Sequence, residues 1–204
     1  LFFGIAGMYD HFDGFYRNDF NGSKFDKQSS VSGNYYLKYL PGKRWIAVLN
    51  VKHLHNRNKG PFTLAYLDQA FIAPFRVNQN ATTRLIDNVW NSSLSLSRAG
   101  RFFNFSSQTS YQLNHRYYED PIDADFSPLD AISIVNDYGK DWNNVKVLTQ
   151  ELRISSPASG KDIFRWSAGT YLLYEDNRVK ESTRFGNEAT VIGMRDNNFS
   201  LIGS

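Results

Sequence analysis

Long polar–apolar alternations, a dense complement of rings and a rhythm of short and long connections predict an all-β fold. The expected form is an antiparallel transmembrane β-barrel, present here in part as about eight strands of a larger barrel. The clearest alternation begins at Phe103. Odd positions run Phe103, Phe105, Ser107, Thr109, Tyr111 and Leu113, and even positions run Asn104, Ser106, Gln108, Ser110, Gln112 and Asn114. A strand sends successive side chains to opposite faces, so one face is ringed and the other uncharged-polar. At ~3.3 Å per residue, 101–115 extends on the order of 45–50 Å. Common strands have about 5–6 residues, whereas a tilted bilayer crossing takes roughly 9–11. A wall between lipid and water asks for this pattern.

Composition narrows the class. The 204 residues are 41% hydrophobic with a mean hydropathy of −0.48, and no stretch approaches the roughly 18 apolar residues of a membrane helix. Sixteen Phe, 12 Tyr and 4 Trp suit the aromatic girdles of a barrel. The absence of Cys removes disulfides, thiolate metal sites and thiol catalysis. Net charge is +3 and the 23 basic residues are scattered, so no stripe for nucleic acid is expected. The chain starts inside one alternation and stops inside another, at Phe199-Ser200-Leu201-Ile202. It therefore reads as an internal piece, with 1–204 all belonging to one barrel.

Short turn-rich joints occur at 41–44, 98–101 and 156–161, where Pro, Gly and Ser supply tight-turn angles. Long polar connections, 10–27, 56–83, 116–144 and 177–197, fall between them. Bacterial barrels alternate short periplasmic turns with long external loops in this way. The resulting strands are 1–9, 28–40, 45–55, 84–97, 101–115, 145–155, 162–175 and the opening of another at 198. Outward rows follow from alternation. They are Val31, Tyr35, Leu37 and Tyr39; Trp45, Ala47, Leu49 and Val51, blurred by Ile46 and Val48; and Ile86, Trp90, Leu94 and Leu96. The row after the Phe103 alternation is Leu148, Leu152 and Ile154, and the last is Phe164, Trp166, Ala168, Leu172 and Tyr174.

The run Thr149-Gln150-Glu151-Leu152-Arg153-Ile154-Ser155-Ser156-Pro157, followed by Phe164-Arg165-Trp166-Ser167-Ala168-Gly169-Thr170-Tyr171, resembles a hairpin of TonB-dependent outer-membrane receptors. Gly7-Met8-Tyr9-Asp10 with Asp13-Gly14-Phe15-Tyr16-Arg17-Asn18 resembles another. Tyr39-Leu40-Pro41 before Trp45 is similar to that family's Pro-closed periplasmic turns. The resemblance implies a barrel of about 22 strands, a plug domain and C-terminal strands outside this chain, and a site in the outer membrane of a Gram-negative bacterium. It further implies energised import of a scarce ligand, most often a ferric siderophore, with the TonB complex engaged through segments absent here. No functional residue carries over, because the likeness lies in the strands.

Candidate sites are few. Loop aromatics Tyr66, Phe71, Phe75, Tyr117, Tyr118 and Trp142 are candidates to cradle a ligand, set against simple loop packing. His53 and His55 share a strand face with metal-clamp spacing, but a solvated pair at the interface is the plainer reading. The acidic residues of 116–144 include Asp120, Asp123 and Asp125, without the Gly and distal Glu of a calcium loop. Glu151, Arg153 and Arg165 are expected on the inner wall as a cross-strand charge ladder. No nucleophile–base–acid set emerges, so neither a catalytic role nor a metal or other cofactor is expected. The rival readings are a passive porin-type channel and a soluble all-β binding module.

Overall fold

The computed structural model describes residues 1–59, 69–80, 83–125, 127–129, 131–157, 164–186 and 188–203, with the backbone alone at Gln69, Ala70 and Glu188. Eight long strands make one antiparallel sheet. They are β1 (Phe2–Phe12), β3 (Gln28–Tyr39), β4 (Trp45–Lys59), β6 (Arg84–Arg98), β7 (Asn104–Tyr118), β10 (Asn144–Ser155), β11 (Ser167–Phe185) and β12 (Glu188–Gly203). Each pairs with its neighbours in chain order, as an up-and-down meander. Short strands β8 (Ile122–Asp123) and β9 (Ile132–Val135) join the same sheet beside β11 and raise it to ten strands. The connections also hold β2 (Arg17–Asn18), β5 (Arg76–Val77) and a single helical turn, α1 (Gln69–Ile72). The chain is thus all-β and antiparallel, apart from the two-residue parallel pair β2–β5. Among the described residues β1 and β12 each keep one free edge, so the sheet is open.

Directly paired residues share a face, so the register tests every outward row at once. One cross-strand row joins Phe3, Leu37, Leu49, Leu94, Thr109, Gln150, Leu172 and Leu201. The next joins Ile5, Tyr35, Val51, Ser92, Tyr111, Leu148, Tyr174 and Phe199. All the outward rows expected within the strands fall on this one face. Its nearest charges are Arg98 toward the short turns and Lys146 and Asp176 toward the long loops. On β7 that interval runs over nine residues, 105–113, or ~30 Å along the strand. The opposite face carries Tyr36, Asn50, Ser93, Ser110 and Thr149 in one row and Asn34, Lys52, Asn91 and Gln112 in the next. Ile46, Val48, Leu54 and Val89 interrupt its polarity.

No second layer covers the ringed face among the described residues. Ile5 is 75% exposed, Tyr35 45%, Leu94 40% and Tyr111 41%. The buried apolar side chains Phe25, Val77, Leu85, Ile86 and Ile122 instead belong to the long-loop end. The polar members of the apolar band satisfy one another. Thr109 Oγ1 donates to Gln150 Oε1 at 2.6 Å, and Gln150 Nε2 donates to Ser107 Oγ at 2.9 Å.

Two glycines shape the sheet. A Cβ on Gly100 would overlap the Phe103 carbonyl oxygen, so this turn closes only without a side chain. Gly42, at φ 89°, supplies the left-handed residue after Pro41.

At the long-loop end several strands run further than expected. β1 runs to Phe12 rather than residue 9, β4 to Lys59 rather than 55, and β7 to Tyr118 rather than 115. Apolar periodicity stops at the band, but backbone pairing continues past it wherever a neighbour offers hydrogen bonds. The largest correction is at 177–197, expected as a long loop. β11 continues to Phe185, Gly186 turns at φ 55°, and β12 begins at Glu188, making a protruding hairpin. Solvent reaches both its faces, so it carries no apolar period for the sequence to display. Asp176 ties its base, accepting bonds from Arg178 at 2.9 Å and Arg195 at 3.1 Å. β11 also starts at Ser167 rather than 162, which leaves Phe164, Arg165 and Trp166 ahead of the strand. Part of the 156–161 joint lies outside the described residues.

Candidate functional site

At the long-loop end, two connections lock together. Arg17 N–H donates to Phe75 O at 2.9 Å and Asp19 N–H to Val77 O at 2.8 Å, forming β2–β5. Asn18, fully buried, donates through Nδ2 to Gln79 O at 2.7 Å and accepts through Oδ1 from Gln79 N–H at 3.1 Å. Asp26 accepts from the Phe15 and Tyr16 amides at 3.1 and 2.8 Å. Arg76 donates to both Asp19 oxygens, the shortest bond being 2.6 Å, and this guanidinium holds the Asp19 carboxyl below its ordinary range.

This platform presents rings. Tyr16 meets Phe75 edge-on at 5.4 Å, Phe15 lies 6.4 Å from Phe75, and Phe12 packs on Phe15 at 5.1 Å. Phe75 takes the left-handed conformation, φ 63°, which is uncommon without Gly and is held by the Arg17 bond to its carbonyl. Phe15, Phe71, Ile72 and Phe75 all stay exposed, giving an apolar rim over a polar base. Phe15 and Tyr16 are not among the loop aromatics that the sequence alone marks as ligand candidates. Their connection has no periodicity, and only the cross-loop pairing brings them to Phe75.

The other expected aromatics do not converge there. Tyr117 lies tilted against His115 at 4.7 Å on the ringed face, while Tyr118 points to the opposite face. Trp142 lies over Lys180, 5.4 Å from the ammonium, which also caps the Tyr138 ring at 4.3 Å. Asn143 clips that corner to β11, donating to Lys180 O at 3.0 Å and accepting from Lys180 N–H at 3.1 Å. Tyr66 lies outside the described residues. Of the four ligand candidates within the described residues, Phe75, Tyr117, Tyr118 and Trp142, Phe75 alone joins the rim.

The remaining candidates are placed as follows. His53 stacks on Trp90 at 4.2 Å, while His55 Nδ1 bonds Asn88 Oδ1. The two imidazoles therefore engage different partners. In the acidic connection, Asp125 accepts from the Ser127, Ala131 and Ile132 amides at 3.1, 2.8 and 3.0 Å, which organises the loop. Burial works against this carboxylate, but the hydroxyl of Ser127 and those amides lower its pKa on balance. Glu151 pairs with Arg153 along β10 at 2.8 Å. Arg165 precedes β11, so the expected three-residue ladder reduces to a same-strand pair.

The polar face holds two hollows of about 450 Å³ each. One lies over Ala6, Asn34, Lys52 and Val89, the other over Asn50, Ser93, Ser110 and Thr149, and Lys52 reaches both. Chemically, the fold thus offers a ring-bearing rim at the loop end and a hydroxyl- and amide-lined concavity below it. No protein-family model matches the chain, and no solved structure matches it.

Proposed function

We propose that this sheet is part of the wall of a transmembrane β-barrel in the outer membrane of a Gram-negative bacterium. The carrying observation is the uncovered, charge-free apolar band across eight strands. Thirteen large apolar side chains stand in its two central rows. Burying each is worth about 1.5–3 kcal/mol. Even at half that, leaving them in water forfeits about 10–20 kcal/mol, comparable to the whole ~5–15 kcal/mol net stability of a domain. Lipid on that face removes the penalty. The Thr109–Gln150–Ser107 bonds fit the same environment, since an unpartnered polar group in hydrocarbon is costly. A soluble sandwich would instead pack this face on a second sheet.

Within that class we favour a receptor that imports a scarce ligand, a ferric siderophore being the leading candidate, with energy supplied through TonB. Two features support it: the resemblance of 149–157 and 164–171, where β10 and β11 pair as neighbours, and the exposed ring-bearing rim at the long-loop end. The second resemblance is weaker, since β1 pairs with β3 and 13–18 leads instead into the β2–β5 platform. The test is uptake of labelled ferric chelates by iron-limited cells with and without the gene. Saturable, energy-dependent uptake lost on deletion is expected. Uptake that is linear in ligand and indifferent to uncouplers would establish the passive channel instead.

A further inference from the structure

A hollow of about 180 Å³ opens just above the apolar band, lined by His11, Lys27, Arg57, Lys59 and Arg84. Sheet pairing builds it. His11 and Arg57 both oppose Ser29, Lys59 opposes Arg84, and Lys59 N–H donates to Lys27 O at 2.7 Å. Basic side chains from four strands or strand ends, the cations Lys27, Arg57, Lys59 and Arg84 with the imidazole of His11, are thereby brought to one spot on the ringed face. Carboxylates offset them only in part. Glu119 is shared between Arg57 at 3.4 Å and Arg84 at 3.6 Å, and Asp13 lies 3.2 Å from His11. Among the described residues no carboxylate forms an ion pair with Lys27 or Lys59. Lys59 ends β4 beyond the band, and burial, then Arg84 and Lys27, depress its pKa. Such crowding of cations is unfavourable unless an anion joins them.

Directly below the hollow on the same face come Tyr9 and Val31, then the side-chain-free pair Gly7 and Gly33, then Ile5 and Tyr35. A cationic pocket standing on an apolar slope matches an amphiphile with an anionic head. We propose that this pocket binds the phosphate of a phosphorylated membrane lipid, with its acyl chains lying along β1 and β3. The site rests on the membrane reading above, and it is separate from the loop rim and the polar concavity. Phosphate suits the array because several point and forked donors can share its oxygens. Juxtamembrane cations add roughly 1 kcal/mol each toward anionic headgroups.

The test uses the full-length protein in neutral detergent and bilayers, with phosphatidic acid as probe and diacylglycerol of the same chains as its phosphate-free counterpart. Native mass spectrometry reads bound lipid. Lys27→Gln with Lys59→Gln should weaken phosphatidic acid about thirtyfold, two cations at about 1 kcal/mol each. Lys27→Arg with Lys59→Arg should retain binding, which separates charge from folding. Diacylglycerol should bind the wild type no better than the glutamine variant does. Equal binding of the two lipids, or wild-type affinity in the glutamine variant, overturns the site. Displacement by inorganic phosphate at the probe's own concentration would mark a free-anion site and overturn the lipid assignment. Insertion is scored first, as resistance to unfolding in dodecyl sulfate before heating. Failure there removes the membrane reading and this site with it, whereas insertion with charge-independent lipid binding removes the site alone.

Discussion

Leu94 and Ser93 are adjacent on β6 and face opposite ways, which makes them a direct test of the two-faced wall. Leu94 stands between Leu49 and Thr109 in the middle of the apolar band, and Ser93 between Asn50 and Ser110 on the polar face. Leu94→Arg should cost about 2–4 kcal/mol near the midplane, and Ser93→Arg much less. Reversible unfolding in lipid measures both, and equal tolerance would mean that the ringed face does not meet hydrocarbon. Gly100→Ala should also destabilise, by on the order of 1–3 kcal/mol, because its Cβ meets the Phe103 backbone rather than a movable side chain. Gly4→Ala is the control, since its nearest neighbour would be 3.9 Å away; comparable losses in the two would discount the close approach. A third residue-scale outcome concerns acid. The folded Asp19 carboxyl is held below its unfolded value by Arg76. Its contribution is therefore present above the unfolded value, about 3.9, and is lost as pH falls through the folded one. Amide protection at Arg17 and Asp19, measured against the intrinsic exchange rate at each pH, should fall in that acid window. Asp19→Asn should remove this dependence, and its persistence in the variant would assign the loosening elsewhere.

At the scale of elements, the meander ends β1, β4 and β7 at one end of the sheet together with the β11–β12 tip, and β3 and β6 at the other. Leu129, in the connection between β7 and β10, and Lys43, in the turn after β3, are both exposed. On intact cells carrying the full-length protein, Leu129→Cys should react with an impermeant thiol reagent and Lys43→Cys should not. The reverse pattern would invert the orientation. The β11–β12 hairpin shows why connection length was only partly readable. Residues 177–185 and 188–197 mix Val, Thr and Ile with charges and bury the polar Ser182 rather than an apolar row, so polarity resembled a loop. Pairing along the whole of β12, and of β9 with residues 182–185, makes them strand.

For the whole molecule, two free sheet edges and an uncovered apolar face lead to one expectation. Unpaired strand edges template further pairing, and a large apolar patch associates in water. The 204-residue chain expressed without amphiphile should aggregate, as read by size-exclusion chromatography with circular dichroism. A monodisperse β-rich monomer in plain buffer would remove the membrane reading.

The sequence by itself determined the eight long strands and which of their residues share a face. Side-chain direction repeats every two residues, so the rows through Tyr35, Leu49, Leu94, Tyr111 and Leu148 are written in the order of the residues alone. It also placed the short turns at Pro41-Gly42 and Ala99-Gly100, where local backbone geometry demands those residues. Only the tertiary structure decided where the strands end beyond the band, because a hydrogen-bonded ladder there depends on the neighbour and not on apolar periodicity. The same holds for the sites. Phe75 meets Phe15 and Tyr16, and Lys27 meets Lys59 and Arg84, through pairing between segments far apart in sequence, and no local pattern encodes such a meeting.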